Sequence, residues 1–440
     1  MPHDPTGQEE WSAWTALPEL FKSWGAGVLT NRNGLAVDED RHALLKKIRR
    51  FADLSVPDAV VEEQYGFSSN YQWDTGRARK AFASRSVRDL AEPYTFRPFD
   101  FQWIYWHSNV VYNMRGDKME VFRQEGPPLG LMFSRNTRHG YYSNIYITRR
   151  IADRHCMEEA NVAPLYSQVV DGLFPQAPES NLSGRAVSGV TDGFGLRLIP
   201  ERRGDLSTTC GTEDFLSFVY GVLHSEDYRA RYSGFLKIDF PRLPLTSSLE
   251  LFRELARLGG EIVALHLVET PPQKALSAHY DKAAEAWRYE VAQGQSLPVT
   301  LAFMGPENPV VGKVGWSDDT VWIDSARWKK GATNADVSGT VGFNGVPEAV
   351  WNFHIGGYQV CEKWLKDRKG STLTADGIAH YHRIVIALHE TIRLMGEIDE
   401  IIDAYGGWPT AFQSATPSVV SRVETQVGAA EPLGGYRSDG

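Results

Sequence analysis

From Asp376 to Asp403 the apolar residues Ile378, Tyr381, Val385, Leu388, Ile392, Met395 and Ile398 return every three or four positions. That is the spacing of one face of a long α-helix. A stripe of this kind must be covered, either by the chain's own core or by a partner domain. At 440 residues, the chain is long enough for two or three domains with cores of their own.

The remaining segments alternate between helical and strand-like texture. Residues 11–24, WSAWTALPELFKSW, read as an amphipathic helix, and GAGVLTNRNGLAVD reads as strand, Asn/Gly turn and strand. RHALLKKIRRFADL resumes a helical period. From Tyr94 onward FRPFDFQWIYW, GLMFSR and GYYSNIYITRR are rich in aromatic and β-branched residues, as strands are. The Gly, Ser and Pro content of 175–211 predicts a long loop or crossing. DFLSFVYGVLHSEDYRARYSGFL and PRLPLTSSLELFRELARLG return to helical spacing, and 295–345 to short strands between Gly, Asp and Asn turns. The Gly, Pro, Ser and Thr of the tail after Gly406 predict disorder. The expected class is mixed α/β (α+β): a twisted sheet with flanking helices, ending in a long helix. The expected divisions are an N-terminal helical and hairpin segment (1–90), a strand-rich lobe (91–210), a second α/β lobe (211–405) and the tail (406–440).

The common catalytic sets are missing. The nearest approach to a phosphate-cradling loop, GPENPVVGKV at 305–314, has too long a spacing and lacks the hydroxyl residue. Asp367-Arg368-Lys369 stands far along the chain from Pro57-Asp58, so no carboxylate-lysine nuclease set assembles, and a solvated charge run is the simpler reading. No Asn-Pro-Pro-aromatic or Asp-Pro-Pro-aromatic tetrapeptide of an adenine methyltransferase occurs, Gly193-Phe194-Gly195 stands alone, and there is no Gly-x-Ser-x-Gly elbow. His380 and His382 do not share a helix face. His382 and His389 do, two turns apart, and read as ordinary helix histidines. Cys156, Cys210 and Cys361 show no CxxC spacing and read as buried thiols. No segment is long enough to span a bilayer, and MPHDPTGQEEW lacks the regions of a signal peptide, so a cytoplasmic location is expected.

Cations and aromatics carry the remaining signal. The whole chain has a net charge of -9, yet from Leu131 to His155 it holds Arg135, Arg138, Arg149, Arg150 and Arg154 against Asp153 alone. Read as a strand, YYSNIYITRR puts Tyr142, Asn144, Tyr146, Thr148 and Arg150 on one face, a set able to meet phosphates and base edges. A half-exposed sheet whose arginines pair with nearby acids explains the same residues equally well. A second group is Arg327, Lys329 and Lys330 in a loop-like setting. The third lies in WNFHIGGYQVCEKWLKDRKG (351–370), where Lys363, Lys366, Arg368 and Lys369 surround a Trp364 expected in the core. A helix C-terminus capped by Gly370 accounts for those cations equally well.

HIGGYQVCEKWLKDRKGSTL, followed by IAHYHRIVIALHETIRLMGEID, closely resembles the C-terminal end of Type ISP restriction-modification enzymes. TFRPFDFQWIYW, GLMFSRN, FVYGVLHSEDYRARYSGFLKIDFPRLP and GGEIVALHLVE resemble earlier stations of the same specificity domain in the same order, from Thr95 to Asp399. The resemblance implies a two-lobed target-recognition-type domain that reads an asymmetric double-stranded DNA site and is not itself catalytic. It implies partner domains or subunits for adenine N6-methylation, translocation and cleavage, which would need S-adenosylmethionine, ATP and Mg; none of these cofactors is expected in this chain. Base-reading positions do not carry over from the family. The expected DNA contacts, Arg135, Arg138, Tyr142, Asn144, Arg149, Arg150, Arg327, Lys329, Lys330, Lys363, Lys366, Arg368 and Lys369, therefore rest on charge and residue type. A protein-protein module without DNA contact and a stand-alone DNA-modifying enzyme are the alternatives.

Overall fold

The computed structural model describes residues 5–83, 87–126, 128–135, 142–167, 179–200, 202–244, 248–325 and 337–413. The long helix runs Ala375–Ala404, and the Thr374 side chain caps it by accepting from the Gly377 amide at 3.1 Å. Its apolar stripe, including Ile378, Tyr381, Val385, Leu388, Met395 and Ile398, is buried. The cover is this chain's own, since the helix packs on helices Thr212–His224 and Leu249–His266 and on strand Ser277–Asp281. Those two shorter helices lie backbone to backbone. A Cβ on Gly221 would sit 2.6 Å from the Leu255 carbonyl oxygen, so only glycine permits the approach.

Among the described residues three of the sheets are four-stranded. The first has the order Val37–Asp38, Asp100–Tyr105, Ala91–Arg97, Ile151–Ala152, and its last pairing is parallel. The second, Gly25–Ala26, Asn161–Pro164, Gly130–Phe133, Ile145–Thr148, is antiparallel throughout. The third comprises Ala302–Met304, Gly342–Asn344, Thr320–Trp322 and Gly315–Ser317. One continuous cluster of buried apolar side chains extends from Trp11 to Phe412. The architecture is thus mixed α/β with several sheets and a long C-terminal helix.

Four local expectations are corrected. The first helix is Pro5–Ala13, not 11–24. Beyond it Thr15–Ala16 pairs with Arg242–Leu243, and the Leu17 amide donates to the Pro241 carbonyl at 2.8 Å, so a long-range ladder replaces the helix ahead of Pro18. Within 175–211, described from 179 onward apart from 201, Gly184–Phe194 is helical. Ser183 caps it, Gly195 at φ +68° ends it, and burial of Ala186, Val190 and Phe194 outweighs poor local propensity. Strand Ile145–Thr148 is buried on both faces, where one open face was expected. In the tail, Trp408 stacks on Phe412 at 4.3 Å and donates to Ser225 Oγ at 3.2 Å, so order continues past Gly406; residues 414–440 lie outside the described part. No described helix is long and apolar enough to cross a membrane.

Candidate nucleic-acid interface

Strands Gly130–Phe133 and Ile145–Thr148 pair in register, Phe133 opposite Ile145. Their connection includes Arg138, which lies outside the described residues. At the neck of this hairpin the Ser134 amide donates to the Asn144 carbonyl at 3.3 Å, and Asn144 Nδ2 donates to Ser134 Oγ at 2.7 Å. Tyr142 is buried and its hydroxyl donates to the Asn144 carbonyl at 3.0 Å. Burial pushes that phenol up, so it stays protonated as a donor. Tyr142 and Asn144, expected at the surface, spend their polar atoms on closing the neck.

Arg135 leaves the neck towards solvent, with Nε donating to the Ile238 carbonyl at 3.1 Å. Ile238 is 66% exposed, and Trp24, 37% exposed, packs at 5.7 Å from Phe133 and 5.9 Å from Phe240. One edge of the molecule therefore gathers a cation, an indole and an aliphatic tip from residues 24, 135 and 238. No sequence signal announced Trp24 or Ile238, because their neighbours are far along the chain.

The same neck holds the 351–370 segment. Ser143 Oγ donates to the Gly356 carbonyl at 3.0 Å, and the Gly356 amide donates to the Ser143 carbonyl at 2.9 Å. Gly356 turns the hairpin His354–Ile355/Tyr358–Gln359 at φ +60°, where a Cβ would lie 3.0 Å from Met157 Cα. A glycine is required there on both counts. Tyr358 then reaches the His155 carbonyl at 3.1 Å, while the Arg97 guanidinium and Lys363 Nζ lie 5.3 and 5.5 Å from its ring centre. Behind it Tyr94 donates to Asp153 at 2.6 Å; burial first, and then that carboxylate, pushes the Tyr94 phenol well up. The Asp153 hydrogen bond raises His155 above the ordinary imidazole value.

Most of the expected cations are already engaged. Arg149 lies 3.4 Å from Glu269 and 3.7 Å from Glu213. Arg154 is 2.9 Å from Glu159. Arg150 sits 4.0 Å over the Phe101 ring, and burial lowers its pKa. Helix Val360–Lys366 pairs Lys366 with Glu362 at 2.8 Å, and Lys363 bonds Asp367. Trp364 is core, as expected. Arg368 is buried: it lies 2.9 Å from Asp100, 3.1 Å from Glu39 and 3.7 Å over Trp364. Arg135, the exposed Lys369 and Arg150, which rests on the Phe101 ring, are the three expected cations with no carboxylate at ion-pair distance among the described residues. Arg327, Lys329 and Lys330 lie outside them. Within the basic window, Arg149 is thus met by acids distant in sequence and Arg154 by the nearby Glu159.

Among the described residues, no group of three or more His, Cys, Asp or Glu is arranged to hold a metal ion. The three cysteines are buried and free. A family model described as the Type ISP C-terminal specificity domain matches residues 19–397. Three solved structures share the fold. A DrdV–DNA complex determined by cryoEM aligns at TM-score 0.58 and 18% identity over 86% of this chain and 36% of its own. A nuclease-deletion mutant of the Type ISP restriction-modification enzyme LlaGI with a DNA substrate mimic aligns at 0.53 and 15%, over 90% and 29%. The ATP-dependent Type ISP restriction-modification enzyme LlaBIII bound to DNA aligns at 0.56 and 14%, over 92% and 24%. The chain therefore spans about a quarter to a third of the length of these structures. No curated protein matches it.

Proposed function

The chain belongs to the family of Type ISP C-terminal specificity domains, and on that premise we propose that it recognises a specific double-stranded DNA sequence for a restriction-modification system. The family match across 19–397 carries this reading, and the DNA-bound state of the three structural neighbours agrees with it. The chain is non-catalytic and two-lobed, with lobes meeting near residue 210. It presents DNA to an adenine N6-methyltransferase and a translocase/nuclease, which carry the S-adenosylmethionine, ATP and Mg.

The edge around Arg135 is where the duplex docks. Arg135, together with Arg138 in the hairpin connection, faces the groove, and Trp24 and Ile238 supply apolar contact beside it. Lys366, Lys369 and the Arg327, Lys329 and Lys330 group lie along phosphates. Arg149, Arg150, Lys363 and Arg368 serve by holding the surface in shape, as their partners support.

A fluorescence titration of duplex DNA at several salt concentrations tests the reading. Affinity that falls linearly in log K against log salt is expected, and Arg135→Ala should weaken it. Absence of binding to any duplex at low salt, with the chain folded, rejects the proposal in favour of a protein-protein module. Methyl transfer or DNA cleavage by the purified chain alone rejects its non-catalytic part.

A further inference from the structure

Helix Arg41–Ala52 carries Arg41, His42, Lys46, Lys47, Arg49 and Arg50 and no acid. Leu44, Leu45, Ile48 and Phe51 are buried, which leaves His42, Lys46, Arg49 and Arg50 exposed. Cations near a helix C-terminus ordinarily need no further explanation, because they meet the dipole and the last carbonyls. Here another residue already occupies one of those carbonyls, that of Phe51. Arg79, fully buried on helix Thr75–Ala83, donates Nε to the Phe51 carbonyl at 2.7 Å and Nη2 to the Val56 carbonyl at 2.8 Å, and pairs with Asp58.

The neighbouring acids are engaged as well. Asp38 holds Lys47 at 2.7 Å, and Asp89 holds Arg41. Asp40 caps the helix itself through the Ala43 amide at 2.7 Å. Asp53 accepts from Ser55 at 2.6 Å, Glu62 from Ser69 at 3.0 Å, and Asp74 from the Arg77 amide at 2.7 Å. Glu39, just before the helix, is 3.1 Å from Arg368. Lys46, Arg49 and Arg50 are left with no carboxylate at ion-pair distance among the described residues; Arg50 reaches Gln64 Oε1 at 3.4 Å and acts on the Asp53 carboxyl through its charge from beyond that distance. Three and four positions apart, these three cations share one helix face. The Glu39–Arg368 contact ties the start of this helix to the segment bearing Lys366 and Lys369, so the two exposed basic groups belong to adjoining elements.

We propose that the Lys46, Arg49 and Arg50 face clamps the phosphate backbone of duplex DNA, fixing position without reading bases. This rests on the DNA-recognition reading above and adds to it a contact surface outside the hairpin edge. Such a clamp acts equally on every sequence, because phosphates carry no sequence information.

The test compares the full 440-residue chain with a K46A/R49A/R50A variant, using a labelled random-sequence duplex over a salt series, and then selection of bound sequences from a randomised duplex pool. The variant should keep the thermal unfolding profile and select the same sequences. Its slope of log K against log salt should be shallower by about two to three, near 0.9 for each phosphate that is no longer neutralised. A charge-keeping K46R/R49K/R50K variant should restore most of the slope. If the wild-type chain binds DNA and the alanine variant binds with the same slope and affinity, the clamp is refuted and the DNA reading stands. A change in the selected sequences refutes the clamp by making these residues readers. If the wild-type chain binds no duplex, both fall.

Discussion

An Arg368→Leu variant removes a guanidinium held 2.9 Å from Asp100, 3.1 Å from Glu39 and 3.7 Å over Trp364, with a further hydrogen bond to the Trp364 carbonyl at 3.0 Å. Asp100 is 1% exposed, and its remaining side-chain partner is Gln102 Nε2 at 3.2 Å. Removing one member of a buried pair leaves the other charge uncompensated, which costs about 3–5 kcal/mol. Against a total stability of about 5–15 kcal/mol this is a large share. Urea unfolding at neutral pH should show a lower midpoint with an unchanged m-value. Adding Asp100→Asn should recover much of the loss, because the stranded charge is then gone. A residue whose work is to touch DNA predicts the opposite pattern: stability unchanged within about 0.5 kcal/mol and affinity reduced. Finding that pattern would refute the structural role assigned to Arg368.

Three further outcomes follow from the geometry. His224, His266 and His382 are buried and held neutral, each with its pKa lowered first by burial, His266 and His382 to about 3. Their folded values lie below the unfolded one, so below about pH 6.5 the unfolded chain takes up protons that the folded chain refuses, and stability falls with pH. At about pH 5.5 the loss is roughly 1.4 kcal/mol per histidine, about 4 kcal/mol together; a urea midpoint constant from about pH 7.5 to 5.5 would contradict it. Asp399, pushed up to about 6 by burial, works in the other direction: its contribution is present in acid and is lost as pH rises through that value. Asp399→Asn should therefore steepen the acid loss by about 1 kcal/mol at about pH 5.5, measured in the same urea series. Gly356→Ala should lower stability by about 1–2 kcal/mol through the left-handed backbone and the approach to Met157, whereas Gly116→Ala, with open space around it, should leave the melting temperature nearly unchanged.

The long helix was legible because its stripe is a local repeat, and the strands around 94–105 and 130–148 were legible because their composition differs from their surroundings. Helix Gly184–Phe194 was not, since its local propensity is poor and burial of three side chains against distant residues decides it. The inward role of Tyr142 and Asn144 was hidden for a related reason. Alternation along a strand assigns faces, but it does not tell which face another layer will cover.

Sequence by itself determined the mixed class, the terminal helix and, through an ordered set of motifs, the family. It also shows where the positive charges stand along the chain. Only the tertiary structure decided which of those charges are met by others: Arg149 meets Glu213 and Glu269, Arg368 meets Asp100, and Arg79 takes the Phe51 carbonyl at the end of the helix that bears Arg49 and Arg50. Ion pairing depends on distance in space and on burial, and neither is a property of neighbours along the chain.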